Sequence, residues 1–180
     1  MGVVLITGGA RSGKSSLAVR IASKWSGPVT FIATAEARDD EMLQKIARHR
    51  ADRPDSWSVV EEPVDVVGAL EAAPLPDLVV VVCLTLWVSN LLERGGSDVE
   101  ALAAAASKAA GARRAPVLVV TNEVGSGIVP FDPATRAYRD QIGIVNAIFG
   151  REAERVLLTV AGRVVTLADP EEVIDDVLRG

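Results

Sequence analysis

Among its 180 residues the chain has one cysteine and one histidine, and acidic residues outnumber basic ones to leave a net charge of -5. Each scarcity excludes something. Cys83 has no second thiol with which to form a disulfide or a thiolate metal cage, which fits a reducing compartment. It stands in an apolar run and reads as a small core residue. The acidic balance argues against a nucleic-acid partner held on a broad basic surface, because neutralising phosphates requires clustered Lys and Arg. Long apolar runs are also missing: the longest candidate, 78–92, is interrupted by Thr85, Ser89 and Asn90 and falls short of the roughly 20 residues of a membrane span. The apolar stretch from Val3 to Ile6 is too short for a signal peptide. With no repeat, low-complexity tract or linker in view, the expectation is one cytoplasmic domain over residues 1–180 without a membrane span.

What is present is an alternation. Residues 3–7, 29–33, 57–60, 78–83, 117–121 and 156–160 are short runs rich in β-branched residues. Between and after them, 14–24, 39–51, 64–73, 85–93, 98–112, 133–152 and 170–178 carry helical spacing or propensity, with Asp39, Asp132 and Asp169 placed as caps. That order predicts a mostly parallel sheet flanked by helices. The runs at 3–7, 78–83 and 117–121 are apolar throughout, so they should be neighbouring central strands buried on both faces. A short last strand at 164–167 should pair antiparallel with 156–160 across a Gly162-Arg163 turn. The alanine-rich stretch 101–112 reads as a surface helix.

Gly8-Gly9-Ala10-Arg11-Ser12-Gly13-Lys14-Ser15 matches G-x-x-x-x-G-K-[ST], with an apolar strand before it and a helix after it. Glycines let backbone N–H groups converge on an anion, and the helix N-terminus adds its positive end. Lys14 reaches the terminal phosphates and Ser15 can ligate magnesium. The loop therefore predicts a P-loop NTPase α/β fold that binds ATP or GTP with Mg2+. Such a site ordinarily has an acid at the end of a neighbouring strand to help hold the metal. The strand 78–83 ends without one, and Glu123, just past 117–121, is the substitute, unless it is a solvated loop carboxylate.

His49 falls near the end of a helix in Arg48-His49-Arg50-Ala51-Asp52-Arg53-Pro54. Arginines suit phosphate oxygens, and a neutral imidazole among them could attack phosphorus and carry a nucleotidyl group. A helix-terminal histidine flanked by arginines is more often a solvated end. From the residues alone both readings stay open.

Taken together the motifs resemble one family, the bifunctional adenosylcobinamide kinase / adenosylcobinamide-phosphate guanylyltransferase of cobalamin biosynthesis. The resemblance runs from residue 3 to about 162. It is carried by Ile6 to Ser15, Ile32-Ala33-Thr34, Asp40-Glu41-Met42, Ile46 with His49-Arg50, and Arg53-Pro54. Cys83 to Leu92, Thr121 to Gly125, Gly127 to Pro130, and Arg136 with Arg139-Asp140, Gly143 and Asn146 continue it. It implies a RecA-like sheet and two reactions. ATP or GTP phosphorylates the aminopropanol hydroxyl of adenosylcobinamide, and GMP then passes from GTP to adenosylcobinamide phosphate through a guanylylated histidine. His49 is the matching position. The resemblance also implies a homotrimer. Candidate nucleotide contacts are the loop Gly8, Gly9, Ala10, Arg11, Ser12, Gly13, Lys14 and Ser15, together with Ala33, Thr34, Arg50, Arg53, Glu61 and Glu123; Ser15 and Glu123 are the candidate metal ligands.

The chain departs from the family at Val82, where Asp or Glu usually precedes the cysteine, and more mildly at Ala147 and Gly150. Val82 puts the kinase half in more doubt than the guanylyl half, and it motivates a rival reading, a nucleotide-binding regulator without chemistry. A second rival is a small-molecule kinase in which His49 is structural.

Overall fold

A computed structural model describes residues 2–51, 53–95 and 98–179; the side chains of Glu41, Lys45, Arg48 and His49 lie outside the described residues. The β-branched runs become seven strands, Val3–Gly8 (β1), Val29–Ala33 (β2), Ser58–Glu61 (β3), Leu78–Val82 (β4), Val117–Val120 (β5), Ala153–Val160 (β6) and Arg163–Leu167 (β7). They form one sheet in the order β3-β2-β4-β5-β1-β6-β7. All neighbours are parallel except β6 and β7, which form the expected antiparallel pair. Its turn sits one residue earlier than predicted, at Ala161-Gly162, because two successive positive φ values of 49° and 74° are what a tight hairpin needs.

Helices fill the crossovers: Lys14–Ala22 (α1), Asp40–Ala51 (α2), Val66–Ala72 (α3), Leu84–Glu93 (α4), Val99–Gly111 (α5), Pro133–Glu152 (α6) and Pro170–Arg179 (α7). Their starts follow local chemistry. Asp39, Asp65, Asp98 and Asp132 each accept a hydrogen bond from the first-turn N–H groups of α2, α3, α5 and α6 at 2.7–3.0 Å. Asp169 does the same for Glu171 N at 2.8 Å. Pro133 follows Asp132 at the start of α6, where its missing N–H costs nothing.

The uniformly apolar central strands β1, β4 and β5 are explained by period-two alternation between two cores. Leu5, Val79, Val81, Val117 and Val119 face α3, α4, α5 and α6, packing on Leu70, Leu84, Trp87, Leu91, Ile142 and Phe149. Ile6, Leu78, Val80, Leu118 and Val120 face the other way, onto Ala18 and Ala22 of α1 and Phe31 of β2. Each such side chain removed from water contributes about 1.5–3 kcal/mol. Trp87 is fully buried and its Nε1–H donates to Val64 O at 2.7 Å, so its one polar atom is satisfied.

Two expectations change. The alanine-rich helix α5 is no bland surface element: Ala103, Ala106 and Ala110 are buried in the first core, where small side chains let α5 lie close against α6. Cys83 is only partly buried, packed at the margin of the second core where it precedes α4 just past β4.

Candidate nucleotide site

In a parallel sheet the C-terminal strand ends define one edge, and ligands gather where neighbouring crossovers leave in opposite directions. Here that edge holds the loop after β1, the ends of β4 and β5, and α2. Together they line a cleft of about 530 Å³. Its wall includes Arg11 to Ser16 of the phosphate loop, Phe31 and Ala33 of β2, Met42 and Ile46 of α2, and Arg53. Val82, Cys83, Thr85, Leu86, Val120, Asn122 and Tyr138 complete it.

The loop is braced from the C-terminal hairpin. Gly8, with φ 144°, passes so close to β6 that a Cβ there would lie 2.3 Å from Thr159 O, so no other residue fits. The Ser12 and Thr159 hydroxyls are 2.7 Å apart, and Gly162 N–H donates to Ser12 O at 3.1 Å. Lys14 opens α1 and folds back so that its Nζ donates to Gly9 O at 2.6 Å. Burial pushes the Lys14 ammonium below its ordinary pKa, and the nearby Cys83 thiol opposes that shift. An ammonium under that desolvation gains from a phosphate counter-charge.

Across the cleft, the Arg53 guanidinium stacks 4.0 Å above the Phe31 ring. Its Nε and Nη1 are buried and have no hydrogen-bond partner among the described residues. Burial, then the neighbouring Arg50, lower its pKa, and Glu61 partly opposes them. Arg11, Lys14 and Arg53 thus bring positive charge to a cleft whose lining includes no carboxylate among the described residues. The wall's charge is opposite to that of the whole chain.

The other candidates fall into groups. Ala33 lines the cleft, whereas the Thr34 hydroxyl is buried and clamps a neighbouring strand, accepting from Cys83 N and donating to Cys83 O, both at 2.8 Å. Gly9, Ala10, Arg50 and Glu61 are exposed, the last at the end of edge strand β3. Glu123 is exposed at the rim: its backbone N–H donates to Gly8 O at 3.1 Å and its Oε1 accepts from Gly125 N at 2.6 Å. His49 lies on α2, but its side chain is outside the described residues.

Several lining residues were not among the candidate contacts, though Met42, Ile46, Thr85 and Asn122 lie in motifs that carry the family resemblance. Phe31 stands where alternation along β2 turns toward α1, and Met42 and Ile46 share the i, i+4 face of α2. Asn122 and Thr85 join across the cleft floor, Asn122 Nδ2 donating to Thr85 Oγ1 at 2.9 Å. Tyr138 of α6 donates to Thr85 O at 3.1 Å, and burial raises its phenol to about 12.

Residues 4–167 match the model of the family described as cobinamide kinase / cobinamide phosphate guanyltransferase. The chain is 42% identical over 164 residues to the bifunctional adenosylcobalamin biosynthesis protein CobP of Pseudomonas aeruginosa, covering 88% of this chain and 92% of that protein. It is 39% identical over 175 residues to the bifunctional adenosylcobalamin biosynthesis protein CobU of Escherichia coli, covering 89% and 96%. Among solved structures, the flagellar accessory protein FlaH of Methanocaldococcus jannaschii superposes with a TM-score of 0.52 at 13% identity, over 93% of this chain and 76% of that one. That likeness concerns the fold alone.

Proposed function

The chain belongs to the cobinamide kinase / cobinamide phosphate guanyltransferase family, whose two activities in adenosylcobalamin biosynthesis it carries, and we propose that the second of them passes through His49. In the first reaction the aminopropanol hydroxyl oxygen of adenosylcobinamide attacks the γ-phosphorus of ATP or GTP. The P–O bond to the nucleoside diphosphate breaks, and the hydroxyl proton is released. In the second, a His49 ring nitrogen attacks the α-phosphorus of GTP, forming a P–N bond and expelling pyrophosphate. A phosphate oxygen of adenosylcobinamide phosphate then displaces the histidine, yielding adenosylcobinamide-GDP.

The observation that carries this proposal is that the phosphate loop and α2 line one cleft. His49 stands three residues after Ile46, which lines that cleft, on α2. In this reading the backbone N–H groups from Gly8 to Ser15 hold the triphosphate, and Lys14 offsets charge on the transferring group. Arg50 and Arg53 contact phosphate oxygens, Arg53 from its perch on Phe31. Thr34 acts through Cys83, whose backbone it clamps.

Magnesium fits the site only as a partner of the triphosphate. Among the described residues no group of three or more His, Cys, Asp or Glu side chains could hold a metal. The Ser15 hydroxyl, a hard oxygen donor on the cleft wall, suits that ion. When bound with the nucleotide, magnesium would neutralise charge on the phosphate oxygens. We further propose a homotrimer, as the family resemblance implies, located in the cytoplasm, with which a chain holding a single cysteine is consistent. No helix among the described residues is long and apolar enough to cross a membrane.

The covalent step is tested with magnesium and GTP labelled at the α-phosphate. Acid-labile label on the native protein, and none on His49→Ala, is the expected result. An unlabelled native protein removes the guanylyl-histidine, and a labelled His49→Ala protein moves the nucleophile elsewhere.

A further inference from the structure

The acid missing at Val82 leaves a position to fill, and strand geometry says where to look. β5 lies between β4 and β1, with Val120 paired to Val82 on one side and Ile6 on the other. The pairing with β1 continues past the strand end: Thr121 N donates to Ile6 O at 3.0 Å and Glu123 N to Gly8 O at 3.1 Å. Side chains along such a segment alternate between faces. Leu118 and Val120 face the α1 side, as do Leu78 and Val80 of β4. Asn122 continues the first series and Val82 the second, and both line the cleft. Thr121 belongs to the other face, where its hydroxyl donates to Asn146 Oδ1 of α6 at 2.6 Å. Glu123 shares the parity of Thr121 and is absent from the cleft wall.

Asn122 is also held in a defined pose. Its Nδ2 donates to Thr85 Oγ1, which is 2.9 Å from Cys83 Sγ, and its backbone carbonyl accepts from Asn146 Nδ2 at 3.0 Å. With Nδ2 so engaged, Oδ1 is left without a protein partner among the described residues and belongs to a side chain of the cleft wall.

We propose that Asn122, rather than Glu123, replaces the strand-end acid, its Oδ1 accepting a hydrogen from a water on the magnesium ion that accompanies the triphosphate. This rests on the reading of the cleft as a magnesium-triphosphate site. An amide oxygen is a hard neutral acceptor, so it orients such a water while adding no negative charge to a cleft that has none among its described lining residues. Asn122 is a positioning residue in this scheme, acting on phosphate through the metal's water. The cation is then held less tightly than a carboxylate would hold it.

The test is the gain in affinity that magnesium confers on a GTP analogue with a methylene α,β bridge, which cannot transfer its nucleotidyl group, measured by calorimetry with magnesium and with chelator. In Asn122→Ala the gain falls about tenfold while metal-free affinity stays put, as expected for losing one hydrogen bond in a charged site. In the isosteric Asn122→Asp the gain rises, and this variant decides the matter should the alanine form not fold. An unchanged gain in Asn122→Ala, an equal loss of metal-free affinity, or no rise in Asn122→Asp overturns the proposal and leaves the triphosphate reading standing. Failure of the native protein to bind the analogue at all overturns both.

Discussion

At Gly8 the space for a side chain is closed by Thr159 O, 2.3 Å from where a Cβ would stand. Gly8→Ala therefore pushes the phosphate loop off β6, and a weaker affinity for triphosphate in an equilibrium binding assay is the expected outcome, with a lower melting temperature. An unaltered affinity would show that the loop tolerates the shift. Tyr138 makes a second residue-scale prediction, and it is the only tyrosine in the chain. Burial holds its phenol protonated up to about 12, against about 10 in the unfolded chain. Between those values the unfolded state has lost a proton that the folded state retains, so this group's contribution to stability falls as pH rises through that window. Phenolate absorbance should titrate near 12 in the native protein and near 10 in denaturant; a native midpoint at the unfolded value would contradict the burial of the Tyr138 phenol. The loop and its lysine were legible in the sequence because a phosphate cradle needs those residue types at fixed spacing. Asn122 was not: a search for a metal-side acid selects Glu123, and only the continued pairing with β1 reveals which of the two faces the cleft.

The elements themselves were largely legible, since period-two and helical spacing are local properties of the chain. Strand runs, helices and the caps Asp39, Asp132 and Asp169 all reappear in the structure. Two features depended on tertiary contact and were not visible locally. The packing of α5 comes from the closeness of α6, and the position of Cys83 from β4 ending one residue earlier than its apolar run. The cap at Asp132 accepts from both Thr135 N, at 2.7 Å, and Thr135 Oγ1, at 2.8 Å. It starts the helix that carries Tyr138 and Asn146 to the cleft floor. Asp132→Ala should lower unfolding stability modestly, read as a lower denaturant midpoint with an unchanged slope. A neutral result would mean that packing of α6 alone sets its start.

Across the whole molecule the sheet joins parts distant in sequence into one device. The hairpin of β6 and β7 supports the phosphate loop through Thr159 and Gly162, and α2 brings Met42 and Ile46 to the same cleft. On the proposed reading one cleft serves two chemistries, with the loop common to both and His49 required for only one. The most direct test follows from that division. Native protein and His49→Asn are incubated with adenosylcobinamide, GTP and magnesium, and the corrinoid products are resolved by mass. The account predicts that His49→Asn still forms adenosylcobinamide phosphate, accumulates it, and forms no adenosylcobinamide-GDP. Formation of adenosylcobinamide-GDP by His49→Asn would contradict it.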